Sequence, residues 1–140
     1  MIKRLSIGEV GHLAFNLARE ILSYNEPIPD FTTRFPNILE SCIAAPFYTF
    51  RRKNFYKGLI EKAAVLFYAM IKNHPFQNGN KRIAMTTLFV FLYKNKKWLD
   101  VDNKELYNFA VWVAESNPRF KEETVNAVIH FLRIYMVNLS

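Results

Sequence analysis

The segment from Ile83 to Tyr93 constrains the fold most, because it is apolar nearly all the way round a helix. A helix with this pattern must be buried on every side, at the centre of a domain. A second apolar helical pattern runs from about Leu59 to Ile71, and the polar residues 74–82 join the two. The sequence therefore predicts two core helices, at about 57–72 and 80–94, joined by a polar loop.

Four further helices are predicted from apolar residues at helical spacing and from start and stop signals. Ser6 and Glu9 have capping-box spacing, and so do Asp102 and Glu105, with Asp in the capping role. The first helix is predicted at about 7–24 and is followed by a loop at 25–35 and a short helix from Pro36 to just before Pro46. A further helix begins at Asp102 and is ended by Asn117-Pro118. The last is predicted at about 121–138, with Met136 facing inward.

The predicted fold is all-α, with about six helices around the buried helix at 80–94 in one domain over residues 1–140. The chain is 51% hydrophobic with only four glycines, which favours a packed globular protein. Aromatic and basic residues alternate at 47–57. From the residues alone, this stretch predicts a loop whose aromatic rings pack on the core while the cations stay in water. The lone Cys42 excludes an internal disulfide and is expected to be a small buried hydrophobe.

The net charge of +7 comes from basic residues spread along the chain in small clusters. No nucleic-acid motif accompanies them, so direct nucleic-acid binding is not expected, and an acidic partner explains the charge at least as well. The apolar run 63–71 is too short to cross a bilayer, and polar residues interrupt any signal peptide at the start. A soluble cytoplasmic protein without membrane contact is expected.

The loop at 74–82 has the parts of an anion site. Asn78-Gly79-Asn80 can turn the backbone so that N–H groups converge, beside the positive end of the following helix. Lys81 and Arg82 oppose the helix dipole in its first turn unless an anion compensates them. His74 can accept a proton from a hydroxyl near a bound phosphate. The same residues also suit a plain polar connection between two helices, with His74 as a cap.

The loop resembles the signature of the Fic/Doc family, HPFx(D/E)GN(G/K)R. It agrees at His74, Pro75, Phe76, Gly79, Asn80, Lys81 and Arg82, and it departs at Asn78. The resemblance implies the family's helical fold and a small irregular or hairpin flap near 47–57, which would lie over the active site and dock the target polypeptide. Lysine at position 81 is typical of the Doc-like toxins, which phosphorylate a translation elongation factor. Glycine there is typical of the Fic enzymes that transfer AMP.

The resemblance implies roles for these residues. His74 would take the proton from a target Ser or Thr hydroxyl, and Phe76 would pack inward and fix the loop. Gly79 and Asn80 would contact phosphate, and Lys81 and Arg82 would neutralise its charge during transfer from ATP. At position 78 the family's acidic residue holds Mg²⁺, whereas Asn78 offers only a neutral oxygen. Weaker magnesium binding and slower turnover are expected.

Three functions stay open from the sequence: a Doc-like kinase toxin, an AMP transferase, and a catalytically silent protein that binds a nucleotide or a partner. Lys81 argues for the first and Asn78 for the third. The family's self-inhibiting motif, (S/T)xxxE(G/N), is absent from the chain. For a Doc-like toxin the resemblance then implies a separate antitoxin as partner, with a protein target as substrate.

Overall fold

The computed structural model describes residues 1–21 and 27–139 and shows an all-α fold, as the sequence predicts. The end of the first predicted helix and the start of the 25–35 loop fall on residues 22–26, outside the described part. The helices are α1 (Ile7–Glu9), a π-helical segment (Val10–Ala14), α2 (Phe15–Ile21), α3 (Pro36–Ala44), α4 (Leu59–Lys72), α5 (Asn80–Lys94), α6 (Asn103–Glu115) and α7 (Lys121–Tyr135), with 3₁₀ turns at Phe31–Thr33, Ala45–Phe47 and Pro118–Phe120.

Helix α5 is the centre of the fold. Eleven of its fifteen residues are buried, and it packs against α2, α4, α6 and the π-helical segment. Its neighbour α4 is nearly as deeply buried, with ten of fourteen residues in the interior. The burial of these two helices confirms the prediction made from their apolar patterns. The loop that joins them is therefore held at both ends by the most buried elements of the protein.

Two polar side chains on α5 bond it to the first helical region, which consists of α1, the π-helical segment and α2. The Arg82 guanidinium donates to the Ala18 carbonyl at 3.1 Å, and one turn later the Thr86 hydroxyl donates to the Ala14 carbonyl at 2.7 Å. Ala14 and Ala18 are fully buried, and their small side chains let the two backbones approach. Satisfied hydrogen bonds of this kind fix how two helices dock, because breaking either one leaves a buried polar group without its partner.

The first helix begins as predicted and then departs from regular geometry. Ser6 and Glu9 form a reciprocal capping box, as their spacing indicates. Beyond it the Phe15 amide bonds the Val10 carbonyl, which gives a π-helical turn that the apolar pattern does not reveal. Gly11 lies in this segment with the Phe31 ring so close that an added Cβ would be 3.0 Å from it. The turn is thus packed tightly against the segment that follows residue 26.

Two small antiparallel sheets complete the fold. Strands β1 (Thr49–Phe50) and β2 (Lys53–Asn54) form a hairpin, which agrees with the flap predicted near 47–57. Strand β3 (Lys97–Leu99) pairs with β4 (Met136–Asn138), so that Leu99 faces Met136. The prediction of one helix over 121–138 is wrong at its end, because α7 stops at Tyr135 and this pairing captures the residues after it. Met136 is half-buried in the strand.

The expected cap of α6 is also different. Asp102 stands at the N-cap position, but its side chain makes no capping hydrogen bond. Glu105 accepts a hydrogen bond from the Tyr135 hydroxyl instead, and this bond raises the pKa of Tyr135.

Cys42 is buried as predicted, and burial raises the pKa of its thiol to about 11. In the part of the chain that the structure describes, no helix has the length and apolar character needed to cross a membrane.

A buried lysine on α4 holds the hairpin. Lys62 is 2% exposed, and its Nζ donates to the carbonyls of Pro46 at 3.0 Å and Tyr56 at 2.5 Å, which stand on either side of β1 and β2. The same Nζ lies 4.8 Å from the centre of the Phe47 ring. Burial lowers the pKa of Lys62, and the neighbouring Glu61 carboxylate partly opposes this. One side chain therefore fixes both ends of the hairpin to the core.

We expect Lys62→Met to lower the free energy of unfolding by about 2 kcal/mol, because it leaves two carbonyls without their donor. Urea denaturation would measure this. The matched control is Lys57→Met, an exposed lysine at the hairpin's end, for which a change within about 0.5 kcal/mol is expected. Equal stability of the two variants would contradict the role given to Lys62.

The pH dependence of the stability difference between wild type and Lys62→Met gives a second test of the role of Lys62. Because the pKa of Lys62 is lowered in the folded state, the unfolded chain binds more protons between that pKa and the ordinary value of 10.5. Wild-type stability relative to Lys62→Met should therefore increase as the pH rises through this window. A difference that is constant with pH would show that Lys62 does not titrate differently on folding.

Candidate active site

The loop at 73–79 begins with a histidine in an unusual backbone conformation. Helix α4 ends at Lys72 with Asn73 as its C-cap, and His74 follows with φ of +51°. This left-handed position after a helix is most often glycine, because a side chain there costs energy. His74 is exposed while Pro75 and Phe76 after it are buried. Strained residues of this kind cluster at functional sites, which makes His74 a candidate site residue.

Asn80 closes the loop. Its Oδ1 accepts from the Phe76 amide at 3.0 Å, and its Nδ2 donates to the Phe76 carbonyl at 2.9 Å. Nδ2 also lies 3.4 Å from Nδ1 of His74. An amide nitrogen can only donate, so this contact is a hydrogen bond only in the tautomer that carries its proton on Nε2; in the other tautomer Nε2 has the free lone pair that can accept a proton. Asn80 is 8% exposed, and it thus sets the loop's shape and the orientation of the imidazole together.

Gly79 makes the turn into α5. Its φ is +72°, and it stands at the N-cap of the helix. An added Cβ would be 2.6 Å from Cδ1 of Ile28, so a larger residue would meet both strain and a neighbour. The Gly79 amide donates to Oδ1 of Asn78 at 3.0 Å. The glycine is recognisable in the sequence from its turn signal, whereas nothing local points to Ile28 beside it.

The two cations of the motif are placed differently. Lys81 is half-buried in the first turn of α5. Arg82 is 3% exposed, with its guanidinium directed to the Ala18 carbonyl of α2. Arg82 therefore works in the interior as a tie between helices, and the phosphate contact expected of it remains a prediction. Lys81 is the better placed of the two to reach a ligand in solvent.

A segment far earlier in the sequence lies over the loop. The Phe35 amide donates to the Pro75 carbonyl at 2.9 Å, and Ile28 packs on Gly79. The Phe31 ring lies 6.0 Å from that of Phe76, which is buried as predicted. Phe15 of α2 contacts both rings, at 5.3 and 5.6 Å. Residues 27–35 thus form the wall of the candidate site, and we refer to them as the covering segment.

The covering segment lies where a different part of the chain was expected. The hairpin near 47–57 was expected to cover the site, but its anchor Lys62 lies about 15 Å along α4 from the end that leads into the loop. Phe47 packs on Phe91, with ring centres 6.2 Å apart. Phe91 is about 16 Å along α5 from Asn80. The hairpin is therefore fixed at the opposite end of the α4–α5 pair, and residues 27–35 occupy the place expected for it.

The donors available for a metal are few. In the ranges 1–21 and 27–139, no three His, Cys, Asp or Glu side chains come together as a metal site. Asn78 is half-buried, and its Oδ1 already accepts from the Gly79 amide, which leaves one neutral lone pair. This donor set does not suit a resident Mg²⁺. An ion held at Asn78 would have to take most of its oxygen ligands from elsewhere.

The fold and the loop together define a class: an all-α domain with a His-Pro-Phe loop that runs, through Gly-Asn-Lys-Arg, into its most buried helix. Residues 5–92 match the Fic/DOC family, which is more than half of the chain. The chain therefore belongs to the Fic/DOC family.

A curated relative bears the name Toxin Doc and comes from Mycolicibacterium smegmatis (strain ATCC 700084 / mc(2)155). It is 35% identical over 72 residues, which covers 49% of this chain and 55% of the relative. The match thus spans about half the length of that protein. No solved structure matches the chain.

We expect Gly79→Ala to lower the free energy of unfolding by about 1 to 2 kcal/mol through the strain of a left-handed alanine. The neighbouring Ile28 side chain can move, so its clash should add less. Measuring Gly79→Ala in wild-type and in Ile28→Ala backgrounds by urea denaturation separates the two effects. A cost that disappears in the Ile28→Ala background would show that the contact, and not the backbone, requires glycine.

Proposed function

We propose that this protein is a Doc-like toxin that transfers the γ-phosphate of ATP to a Ser or Thr hydroxyl of a protein target. The observation that carries the proposal is the loop held closed by Asn80, whose side chain bonds the Phe76 backbone and approaches His74. Lys81 lies next to it, in the first turn of α5. The family membership and the relative named Toxin Doc support it. A translation elongation factor as target, and a separate antitoxin as partner, belong to the same proposal.

The proposed step is an in-line displacement. The target hydroxyl oxygen bonds to the γ-phosphorus, the bond to the bridging oxygen of ADP breaks, and the hydroxyl proton passes to His74. His74 is exposed and can reach such a hydroxyl. Lys81 offers a cation to the phosphate oxygens as charge shifts between them. The rigid loop contributes by position, because its shape is fixed before the substrate arrives.

Magnesium enters this proposal with ATP. Asn78 is the residue that would face the ion, and it would supply a single neutral oxygen. The ion neutralises phosphate charge when bound. Since the family pattern has an acidic residue here, the proposal includes weaker magnesium binding than in a relative with Asp.

Two other functions keep a specific observation in their favour. Transfer of AMP needs the same histidine, glycine and asparagine, and only Lys81 argues against it. A silent protein that binds a nucleotide or a partner is favoured by Asn78, whose oxygen is shared with the Gly79 amide. All three functions make different predictions for the label that reaches a protein target.

The deciding experiment is label transfer from ATP carrying the label on either the α or the γ phosphate, with purified protein, magnesium and bacterial lysate. We expect label from the γ position only, and we expect His74→Ala to abolish it because no base remains to take the hydroxyl proton. The matched control is His130→Ala, an exposed histidine on α7, which should retain the wild-type rate.

Each other outcome overturns a part of the proposal. Label from the α position would identify an AMP transferase. Label from neither position would favour the silent protein. Equal activity of His74→Ala and wild type would exclude the loop as the site of proton transfer.

We expect Asn78→Asp to increase the rate and to reduce the magnesium concentration that gives half-maximal rate. The reason is that a carboxylate binds a hard cation better than an amide does and can still accept the Gly79 amide proton. The measurement is a magnesium titration of the γ-label transfer. Asn78→Ala is the control and should fall below wild type; an unchanged or slower Asn78→Asp would contradict the assignment of this position to the metal.

A further inference from the structure

The hairpin at the far end of the α4–α5 pair has a surface that the proposed reaction does not use. We call residues 46–57 the basic hairpin. They contain Arg51, Arg52, Lys53 and Lys57 and no acidic residue. All four cations are exposed. Three aromatic side chains of the same segment are exposed as well: Tyr48 at 49%, Phe50 at 62% and Phe55 at 64%.

The turn of the basic hairpin is built from residues that disfavour it. Arg51 and Arg52 have φ of +51° and +66°, between the paired residues Phe50 and Lys53. A two-residue hairpin turn with both φ positive usually takes Asn-Gly or another pair of small residues. Two arginines there break the local rule at an exposed position, where packing does not require them. Such a violation indicates that the side chains are kept for what they contact.

The basic hairpin is also held rigid. Lys62 bonds the carbonyls of Pro46 and Tyr56 on either side of it, and the Phe47 ring packs on Phe91. The Arg51 guanidinium lies 5.3 Å from the centre of the Phe50 ring, so a cation and an exposed ring stand together at the tip. A surface ordered in advance loses less entropy when a partner binds.

We infer that the basic hairpin is a docking surface for an acidic polypeptide segment that carries apolar side chains. Carboxylates would pair with Arg51 and Arg52, and apolar groups would cover Phe50 and Phe55. Charge complementarity points to an acidic partner. Three of the four cations are consecutive at the tip, whereas a nucleic acid backbone is bound by cations along an extended groove, so a polypeptide fits better. This inference does not depend on the proposed function.

The test is fluorescence anisotropy with a short labelled peptide of glutamate, serine and valine. Its controls are the same peptide with lysine for glutamate and a single-stranded RNA of similar length. We expect the acidic peptide alone to bind, and Arg51→Glu with Arg52→Glu to weaken it at least about tenfold. The charge-matched control, Lys104→Glu with Arg133→Glu on exposed faces of α6 and α7, should change binding less than about twofold.

A second double variant separates contact from folding. Arg51→Asn with Arg52→Gly supplies the residues that the turn prefers, so thermal stability should rise while peptide binding is lost. Retained binding in this variant would overturn the role of the arginines. Equal weakening by both glutamate pairs would reduce the effect to net charge, and binding of RNA alone would overturn the class of partner. Absence of peptide binding to the wild type would overturn the proposal as a whole.

Discussion

The burial of α5 is the constraint on which the rest of the structure depends. Its apolar surface must be covered on all sides, so the other helices are arranged around it. Arg82 and Thr86 then fix its docking, because each bonds a carbonyl of the first helix. The candidate site benefits directly. The loop leads into a helix that cannot shift without breaking these bonds, which gives His74 and Asn80 a fixed frame.

Lysines on α4 fix the elements on either side of it. Lys62 bonds the carbonyls at the two ends of the basic hairpin, and Lys72 bonds those of Ala114 and Ser116 where α6 ends. The end of a helix leaves carbonyls without internal partners, and a cation there also meets the negative end of the dipole. Each lysine can bond two carbonyls at once because its Nζ carries several N–H donors.

The α4–α5 pair separates two surfaces. At one end the covering segment lies over the His-Pro-Phe loop, and at the other the basic hairpin is bonded to Lys62. Helix length sets the spacing between them, about 15 Å along α4. The chemistry proposed for the loop and the docking proposed for the hairpin can therefore be altered by separate substitutions. A partner on the hairpin would leave the exposed His74 accessible unless it also reached round the helix pair.

The sequence by itself determined the helices, the central place of α5 and the loop with His74, Gly79 and Asn80, because periodicity, caps and turn residues act within a few positions of one another. Only the tertiary structure decided which segment lies over that loop. Residues 27–35 and the hairpin at 47–57 both contain exposed or partly buried aromatic rings, and the contacts of Phe31 and Phe35 with a loop some forty residues away leave no local signal. The burial of Arg82, the end of α7 and the role of Lys62 likewise depend on partners distant in the chain, which no local pattern encodes.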